Sequence, residues 1–105
     1  MDICDKEKSL SLLNPAWELS FNNTRLRRSF TFCDFKSSLG LANAISIYAE
    51  EVNHHPEIHF GWGHLEVEIW THTENDVLPQ DFSFAEKVDE LSGSAKTLSK
   101  SNSSN

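Results

Sequence analysis

Three histidines form the pattern in this sequence that is best suited to chemistry. His54 and His55 are adjacent and precede Pro56, and His72 follows at a short interval, after a tryptophan and a threonine. Histidine is the side chain whose unperturbed pKa lets it donate or accept a proton near neutral pH. The pattern therefore predicts proton-transfer chemistry, if the fold brings the three imidazoles together.

Alternation of polar and apolar residues predicts two strand hairpins, in residues 17–32 and 57–72. Alternation with a period of two is typical of strands that bury one face only, which indicates an antiparallel sheet. Arg28 is an exception, because it falls on the apolar side. The outer face of the second strand is basic and that of the fourth is acidic, which favours pairing if these strands are neighbours. The apolar sides contain Trp17, Leu19, Phe21, Leu26, Phe30 and Phe32 in the first hairpin and Ile58, Phe60, Leu65, Val67 and Ile69 in the second.

Three helices are predicted around these hairpins. The leucine-rich residues 8–13 favour a short first helix that ends before Pro15, because the residue preceding a proline disfavours the α conformation. Asp34 is predicted to cap a main helix that runs to about Asn53, and Asp81 to cap the last helix. The order of elements predicts an α+β domain of two layers, α-β-β-α-β-β-α, in which a four-stranded antiparallel sheet carries the helices on one face.

The main helix has more apolar surface than one sheet face should need. A stripe with spacings of three and four indicates the core face. A wide core face and a subunit interface both explain the additional apolar residues. The stripe comprises Phe35, Leu39, Ala42, Ile45, Ala49 and Val52, and Leu41, Ala44, Ile47 and Tyr48 widen it.

Strand register predicts that the histidines meet. Inner residues must face inner residues across a hairpin, and a turn near residue 62 then pairs Glu57 with Glu68. Continued to the open end, this register places Asn53, or a near neighbour if the turn slips, opposite His72. Directly opposed residues have Cβ atoms about 5 Å apart. We therefore expect the corner at residues 54–56 to lie beside the third histidine, at the cost of a mild repulsion between the two glutamates.

Composition bounds the remaining possibilities. The 105 residues suffice for one small domain, predicted as residues 1–93, while the polar residues 94–105 are predicted to form a disordered tail. A formal net charge of −7 argues against a nucleic-acid binder and gives no attraction to anionic membranes. The two cysteines are far apart in sequence, which favours reduced thiols over a disulfide framework. The sequence shows neither a long apolar run nor the apolar core of a signal peptide, so we expect a cytoplasmic protein.

The sequence resembles the pterin-4a-carbinolamine dehydratase family from about residue 10 to residue 91. Members of this family remove water from a 4a-hydroxy-tetrahydropterin. The resemblance implies a homodimer or homotetramer that acts without a redox cofactor or a metal. The matching residues are Glu50, His54, His55, Pro56, Trp62, His72 and Asp81, together with the phenylalanines that lead into the main helix.

The resemblance also implies that His54, His55 and His72 form the pterin site. One group must protonate the departing hydroxyl, and another must take the proton from the neighbouring ring nitrogen. Each such transfer typically contributes about 10²–10⁴ in rate. We expect His54 and His72 to transfer the protons and His55 to hold the pterin, with the acid and base roles left open. The product would be a quinonoid dihydropterin, as in the recycling of tetrahydrobiopterin.

Four further residues are candidates for substrate binding. Glu50 and Asp81 match acidic positions of the family, although Asp81 is also a predicted helix cap. Pro56 is expected to hold the preceding histidine extended and so to fix the direction of its imidazole. Trp70 either contacts a flat ring or is a surface or interface aromatic. The segment after the third histidine departs from the family, which usually has an acidic residue and a glycine-rich turn there.

Two other functions compete with this interpretation. The five histidines could bind a metal, but His59 and His64 are expected near the hairpin turn, and a catalytic zinc normally needs three converging ligands. A non-enzymatic module could instead use the open sheet face to bind a pterin or a protein. Turnover of the 4a-hydroxy-tetrahydropterin would distinguish the enzyme from the module.

Overall fold

Seven elements form two layers in the computed structural model, which describes the backbone of residues 1–103 and the side chains of residues 1–93. Their order confirms the predicted α+β architecture. None of the described helices combines the length and the hydropathy that a membrane span requires. The elements are α1 (Ile3–Ser11), β1 (Glu18–Ser20), β2 (Arg25–Thr31), α2 (Phe35–Val52), β3 (Glu57–Gly61), β4 (His64–Ile69) and α3 (Pro79–Ser103).

The four strands form one antiparallel sheet in the order β1-β2-β4-β3. Across the second hairpin, Glu57 lies opposite Glu68 and Ile58 opposite Val67, which confirms the predicted register. Glu68 accepts a hydrogen bond from the Ser20 hydroxyl at 3.3 Å and has Arg27 opposite it on its other side. This register pairs β4, which precedes His72, with β3, which follows His54 and His55.

Charge pairing joins the two central strands, as the sequence predicted. Arg27 of β2 lies opposite Glu68 of β4. The guanidinium of Arg27 forms ion pairs with Glu66 of β4 and, at 3.1 Å, with Glu18 of β1. Ion pairs therefore connect three strands, β1, β2 and β4, on the outer face of the sheet.

The main helix is held at both ends. The Asp34 carboxylate accepts the backbone N–H of Ser37 at 2.7 Å, and this hydrogen bond lowers the pKa of Asp34. At the other end, Asn53 has a left-handed backbone (φ 52°), and the N–H of His54 bonds to the Ala49 carbonyl at 3.1 Å. Both predicted boundaries are confirmed, and the second one turns the chain abruptly into the histidine pair.

The buried face of α2 is rotated relative to the predicted stripe. Phe35, Leu39 and Val52 are exposed, so their assignment to the core was wrong. The rotation arises because α3 packs beside α2, where the rings of Tyr48 and Phe84 have centroids 5.0 Å apart. The buried α2 residues are Ser38, Leu41, Ala42, Ile45 and Ala49.

Two other predictions near the N-terminus need correction. Phe21 is 72% exposed rather than inward-facing, because it lies beyond β1 in a turn with a left-handed backbone (φ 50°). The first helix covers Ile3–Ser11 rather than residues 8–13, because Asp2 caps it by accepting the Asp5 backbone N–H. In α3, Ala85 and Val88 are buried and Leu91 is half-buried.

The predicted tail partly lies outside what the structure describes. Helix α3 is assigned as far as Ser103, whereas the side chains of residues 94–103 and the whole of residues 104–105 are outside the described residues. The boundary after residue 93 therefore stays a prediction.

Arg28, which broke the alternation of the second strand, pairs with a half-buried carboxylate of the last helix. Its guanidinium lies 2.6 Å from the Asp89 carboxylate of α3 and 4.2 Å from the centroid of the Phe30 ring. The same carboxylate accepts the indole N–H of Trp17 at 3.0 Å. Asp89 thus ties β2 and the segment before β1 to the last helix.

We predict that Asp89→Ala lowers the free energy of unfolding by about 2–3 kcal/mol, because it leaves a largely buried guanidinium and an indole N–H without their acceptor. Urea denaturation followed by circular dichroism measures this change. The control is Glu90→Ala on the exposed side of the same helix, where the pairing with Lys87 is long, at 3.7 Å. The control should change stability by less than about 0.5 kcal/mol. Equal effects of the two substitutions would contradict the assigned role of Asp89.

Candidate active site

A buried carboxylate, that of Asp81, joins three segments of the chain at one corner of the domain. One of its oxygens lies 2.5 Å from Nε2 of His54. The other accepts hydrogen bonds from the Thr71 hydroxyl at 2.9 Å and from the Leu78 backbone N–H at 2.8 Å. The carboxylate is fully buried. A buried carboxylate is tolerated where hydrogen bonds of this kind satisfy it.

Asp81 caps the last helix from inside its first turn rather than from the position before it. Helix α3 begins at Pro79, which suits a first helical residue because it needs no donor there. The carboxylate reaches back to the N–H of Leu78, while the N–H of Asp81 donates to the Leu78 carbonyl at 2.9 Å. The Asp81 side chain therefore caps the start of α3 and also contacts His54.

His54 is held from two sides. As a carboxylate, Asp81 can only accept, so Nε2 of His54 is the donor in their contact. The ring of Phe84 meets the imidazole edge-on, with centroids 5.8 Å apart. The side chain is 17% exposed. The imidazole is thus fixed in direction, with Nδ1 as the nitrogen not used by Asp81.

His55 is the more exposed member of the pair. Its Nε2 lies 2.5 Å from a carboxylate oxygen of Glu50, one helical turn back on α2, and both side chains are largely exposed. Glu50 therefore contacts His55 at the surface, and its role in substrate binding stays a prediction. Pro56 is half-buried and leads into β3, which begins at Glu57.

His72 lies immediately beyond β4, at the start of a loop closed by a bridge between Thr71 and Asp76. Its imidazole stacks on the indole of Trp70, with centroids 4.6 Å apart and planes inclined by 36°. Because Thr71 shares the Asp81 carboxylate with His54, the residue before His72 is joined to the His54 side chain through a single carboxylate. Chain adjacency and this junction place the backbones of the three histidines at one end of the sheet, while the His72 side chain itself is exposed.

The loop that departs from the family is anchored by a buried lysine. Nζ of Lys6 lies 2.7 Å from Oδ1 of Asp76 and 2.8 Å from the Asn23 carbonyl oxygen. The hydrogen bond from Lys6 lowers the pKa of Asp76. Helix α1 therefore clamps the loop that begins with the third histidine.

Four residues of this corner were missed by sequence reasoning. Thr71 was seen only as the neighbour of a histidine, and Gln80, which donates to the Thr71 hydroxyl at 2.7 Å, gives no signal. Phe84 was absent from the predicted core. Arg25, whose guanidinium carbon lies 4.0 Å from the centroid of the Trp70 ring, could have been found only from the order of the strands.

The other two histidines and Trp62, which matches the family pattern, lie on the second hairpin. His59 and His64 are exposed on the second hairpin, and Trp62 is exposed at its turn. Among the described residues, no group of three or more histidine, cysteine, aspartate or glutamate side chains is arranged to hold a metal ion.

Comparison with known proteins defines the class to which this chain belongs. A family model described as "Pterin 4 alpha carbinolamine dehydratase" matches residues 3–91. A protein of Rubrobacter xylanophilus named "Putative pterin-4-alpha-carbinolamine dehydratase" is 46% identical over 77 residues, covering 73% of this chain and 71% of that protein. A protein of the same name from Methylococcus capsulatus is 42% identical over 81 residues, covering 77% and 71%. The chain belongs to the pterin-4a-carbinolamine dehydratase family, as the sequence predicted.

Solved structures share the fold. The crystal structure of a transcriptional coactivator/pterin dehydratase from Brucella melitensis has a TM-score of 0.83 and 29% identity, covering 89% of this chain and 98% of that chain. A pterin dehydratase-like protein described as a RuBisCO assembly factor in the alpha-carboxysome has a TM-score of 0.65 and 24% identity, covering 74% and 90%. The second likeness concerns the fold alone.

We predict that Lys6→Met destabilises the protein most at neutral pH. The pair with Lys6 lowers the pKa of Asp76 in the folded state. The stability that this pair contributes is therefore present above the usual pKa of 3.8 and is lost as the pH falls through the lowered pKa. The stability difference between wild type and variant should therefore shrink below about pH 4. Urea denaturation from pH 7 to pH 3 measures it. Lys8→Met, an exposed change in the same helix, is the control; a difference that stays constant down to pH 3 would refute the assignment.

Proposed function

We propose that this protein is a 4a-hydroxytetrahydrobiopterin dehydratase, a hydro-lyase that uses histidine acid–base catalysis. The observation that carries the proposal is the buried junction at Asp81, which orients His54 and joins it to the segment that bears His72. Family membership supplies the substrate class, a 4a-hydroxy-tetrahydropterin. Its product, a quinonoid dihydropterin, would re-enter the tetrahydrobiopterin cycle.

The reaction needs two proton transfers and no change of oxidation state. A base takes the proton from the ring nitrogen beside C4a, and a carbon–nitrogen double bond forms. The C4a–oxygen bond breaks at the same time, and an acid protonates the departing hydroxyl, which leaves as water. The residues proposed for these transfers are His54 and His72, which can exchange protons with a bound substrate near neutral pH.

The surroundings of His54 suit such a role. Asp81 holds Nε2 and thereby directs the imidazole, in the way that a buried carboxylate orients a catalytic histidine in other enzymes. Nδ1 is then the nitrogen proposed to face the substrate. Asp81 acts in this proposal by positioning His54 from the interior, since its own carboxylate is fully buried.

Two exposed side chains are proposed to hold the pterin. His55 and Glu50 form an ion pair or hydrogen bond at the surface, with donors and acceptors suited to the polar edge of the heterocycle. Pro56 is proposed to aim His55, as the sequence predicted. Trp70 has Arg25 against its ring and His72 stacked on it. Substrate contact by Trp70 stays a prediction.

A non-enzymatic binding module is the second candidate. The fold is shared with a protein described as an assembly factor, so the architecture serves more than one role among proteins of this shape. The loop after His72 also departs from the family pattern. In this alternative the open sheet face would bind a pterin or a protein without turnover.

Association into a homodimer or homotetramer is part of the proposal. It is supported by apolar side chains that α2 leaves exposed, among them Phe35, Leu39 and Ile47, since burial of such surface stabilises small domains. A mass measured in solution tests it, and a monomer at micromolar concentration would contradict it. A cytoplasmic location also stays a prediction.

We predict that His54→Ala and His72→Ala each lower the dehydration rate about 10²–10⁴-fold, because each removes a proton-transfer group. The absorbance of 4a-hydroxy-tetrahydropterin, followed with and without protein, measures the rate above the spontaneous reaction. His59→Ala, an exposed histidine of the outer sheet face, is the matched control and should retain wild-type activity. Wild-type protein no faster than buffer would favour the binding module. Full activity in both site variants would rule out these histidines as catalysts.

A further inference from the structure

Two surface segments at the corner of the sheet are linked by cations. The first is the turn of residues 21–24 between β1 and β2, and the second is the loop that runs from Thr71 to Asp76. Lys6 bridges them from helix α1 through the Asn23 carbonyl and the Asp76 carboxylate. Arg25 bridges them from the start of β2.

The Arg25 guanidinium makes polar contacts in both segments. One of its terminal nitrogens donates to the Thr24 carbonyl at 3.1 Å and to the Thr24 hydroxyl at 3.0 Å. The other donates to the side-chain oxygen of Asn75 at 2.9 Å. Asn75 has a left-handed backbone (φ 52°), which asparagine adopts more readily than most residues other than glycine. Arg25 therefore fixes the loop at a point of tight curvature.

The same guanidinium packs on aromatic rings. Its central carbon lies 4.0 Å from the centroid of the Trp70 ring and 4.9 Å from that of Phe21. His72 in turn stacks on Trp70 with centroids 4.6 Å apart. Cation–π contacts of a guanidinium with tryptophan are among the stronger contacts of this type. The result is a continuous stack from the turn, through the arginine and the indole, to the third histidine.

The turn that carries Phe21 is itself held in an uncommon shape. Phe21, Asn22 and Asn23 all have positive φ angles, of 50°, 58° and 61°. Such angles are disfavoured for residues with a side chain, and they persist where neighbouring contacts impose them. Those contacts include the Thr24 N–H to the Ser20 carbonyl at 3.1 Å. The ring of Phe21, although exposed, lies against Arg25.

We infer that Arg25 is a positioning residue for His72. It acts on the imidazole through Trp70 and on the loop backbone through Asn75, and it does not touch the reacting atoms. The inference rests on the proposed dehydratase function for its catalytic consequence, while the geometry of the stack stands independently of it. An arginine is required because its planar guanidinium can stack and donate in a fork at once, which a lysine ammonium cannot do.

Steady-state kinetics of Arg25→Ala test the catalytic consequence. We expect kcat to fall about tenfold or more and KM to change much less, because a misplaced proton-transfer group slows the chemical step. Arg25→Lys, which keeps the charge, should recover only part of the loss. Arg27→Ala is the matched control, since Arg27 lies on the same strand and the same outer face but pairs with Glu18 and Glu66. The control should retain wild-type kcat.

An NMR readout separates this inference from the proposed function. The stacked indole should shift the ring-proton resonances of His72 upfield in wild type and in Arg27→Ala, and the shift should be lost in Arg25→Ala. If wild type shows no turnover, the proposed function fails and the resonance of His72 alone judges the role of Arg25. Arg25 has no positioning role if its alanine variant keeps both the wild-type kcat and the shifted resonance. Complete recovery by Arg25→Lys, or an equal loss in Arg27→Ala, would also overturn the inference.

Discussion

The structure of the candidate site depends on the burial of one carboxylate. A buried ionisable group is costly unless hydrogen bonds satisfy it, and removal of one partner from such a group is more costly than the pair is stabilising. Asp81 meets this constraint with partners from three places: His54 shortly after α2, Thr71 shortly after β4 and the backbone of Leu78 just before α3. The histidines are positioned as a consequence, because two of these partners are His54 and the neighbour of His72.

Other polar contacts at this corner hold the loop and turn segments around the site. Lys6 and Arg25 hold the loop that contains His72 against the first hairpin, and the Asn53 turn sends the chain from α2 directly into the histidine pair. Each of these is a polar group that fixes backbone at a helix end or in a loop, where regular secondary structure does not. The sheet supplies the rigid base on which they act, since its central strands are joined by ion pairs.

Local patterns were sufficient to predict much of this fold. Alternation in β4 together with a turn near residue 62 predicts the register that pairs Glu57 with Glu68, as found. Asp34 and Asn53 were predictable as helix ends because caps depend on a few neighbouring residues. The meeting of residues 54–56 with the end of β4 followed from register alone. The rotation of α2 was missed because it reflects packing against Phe84, which is distant in sequence. Phe21 was misplaced because the turn with a left-handed backbone in which it lies was not recognised. The side-chain partners of Asp81 could not be predicted from local patterns, since His54 and Thr71 lie 27 and 10 residues away in sequence.

The central claim is that His54, His55 and His72 line one pterin pocket while the other two histidines do not. The most direct measurement is a titration of protein labelled with nitrogen-15 in its histidines against a stable dihydropterin, followed by NMR. The account predicts that the ring resonances of these three histidines move together along one saturating curve while those of His59 and His64 stay in place. Movement of His54 and His55 with a stationary His72 would contradict it.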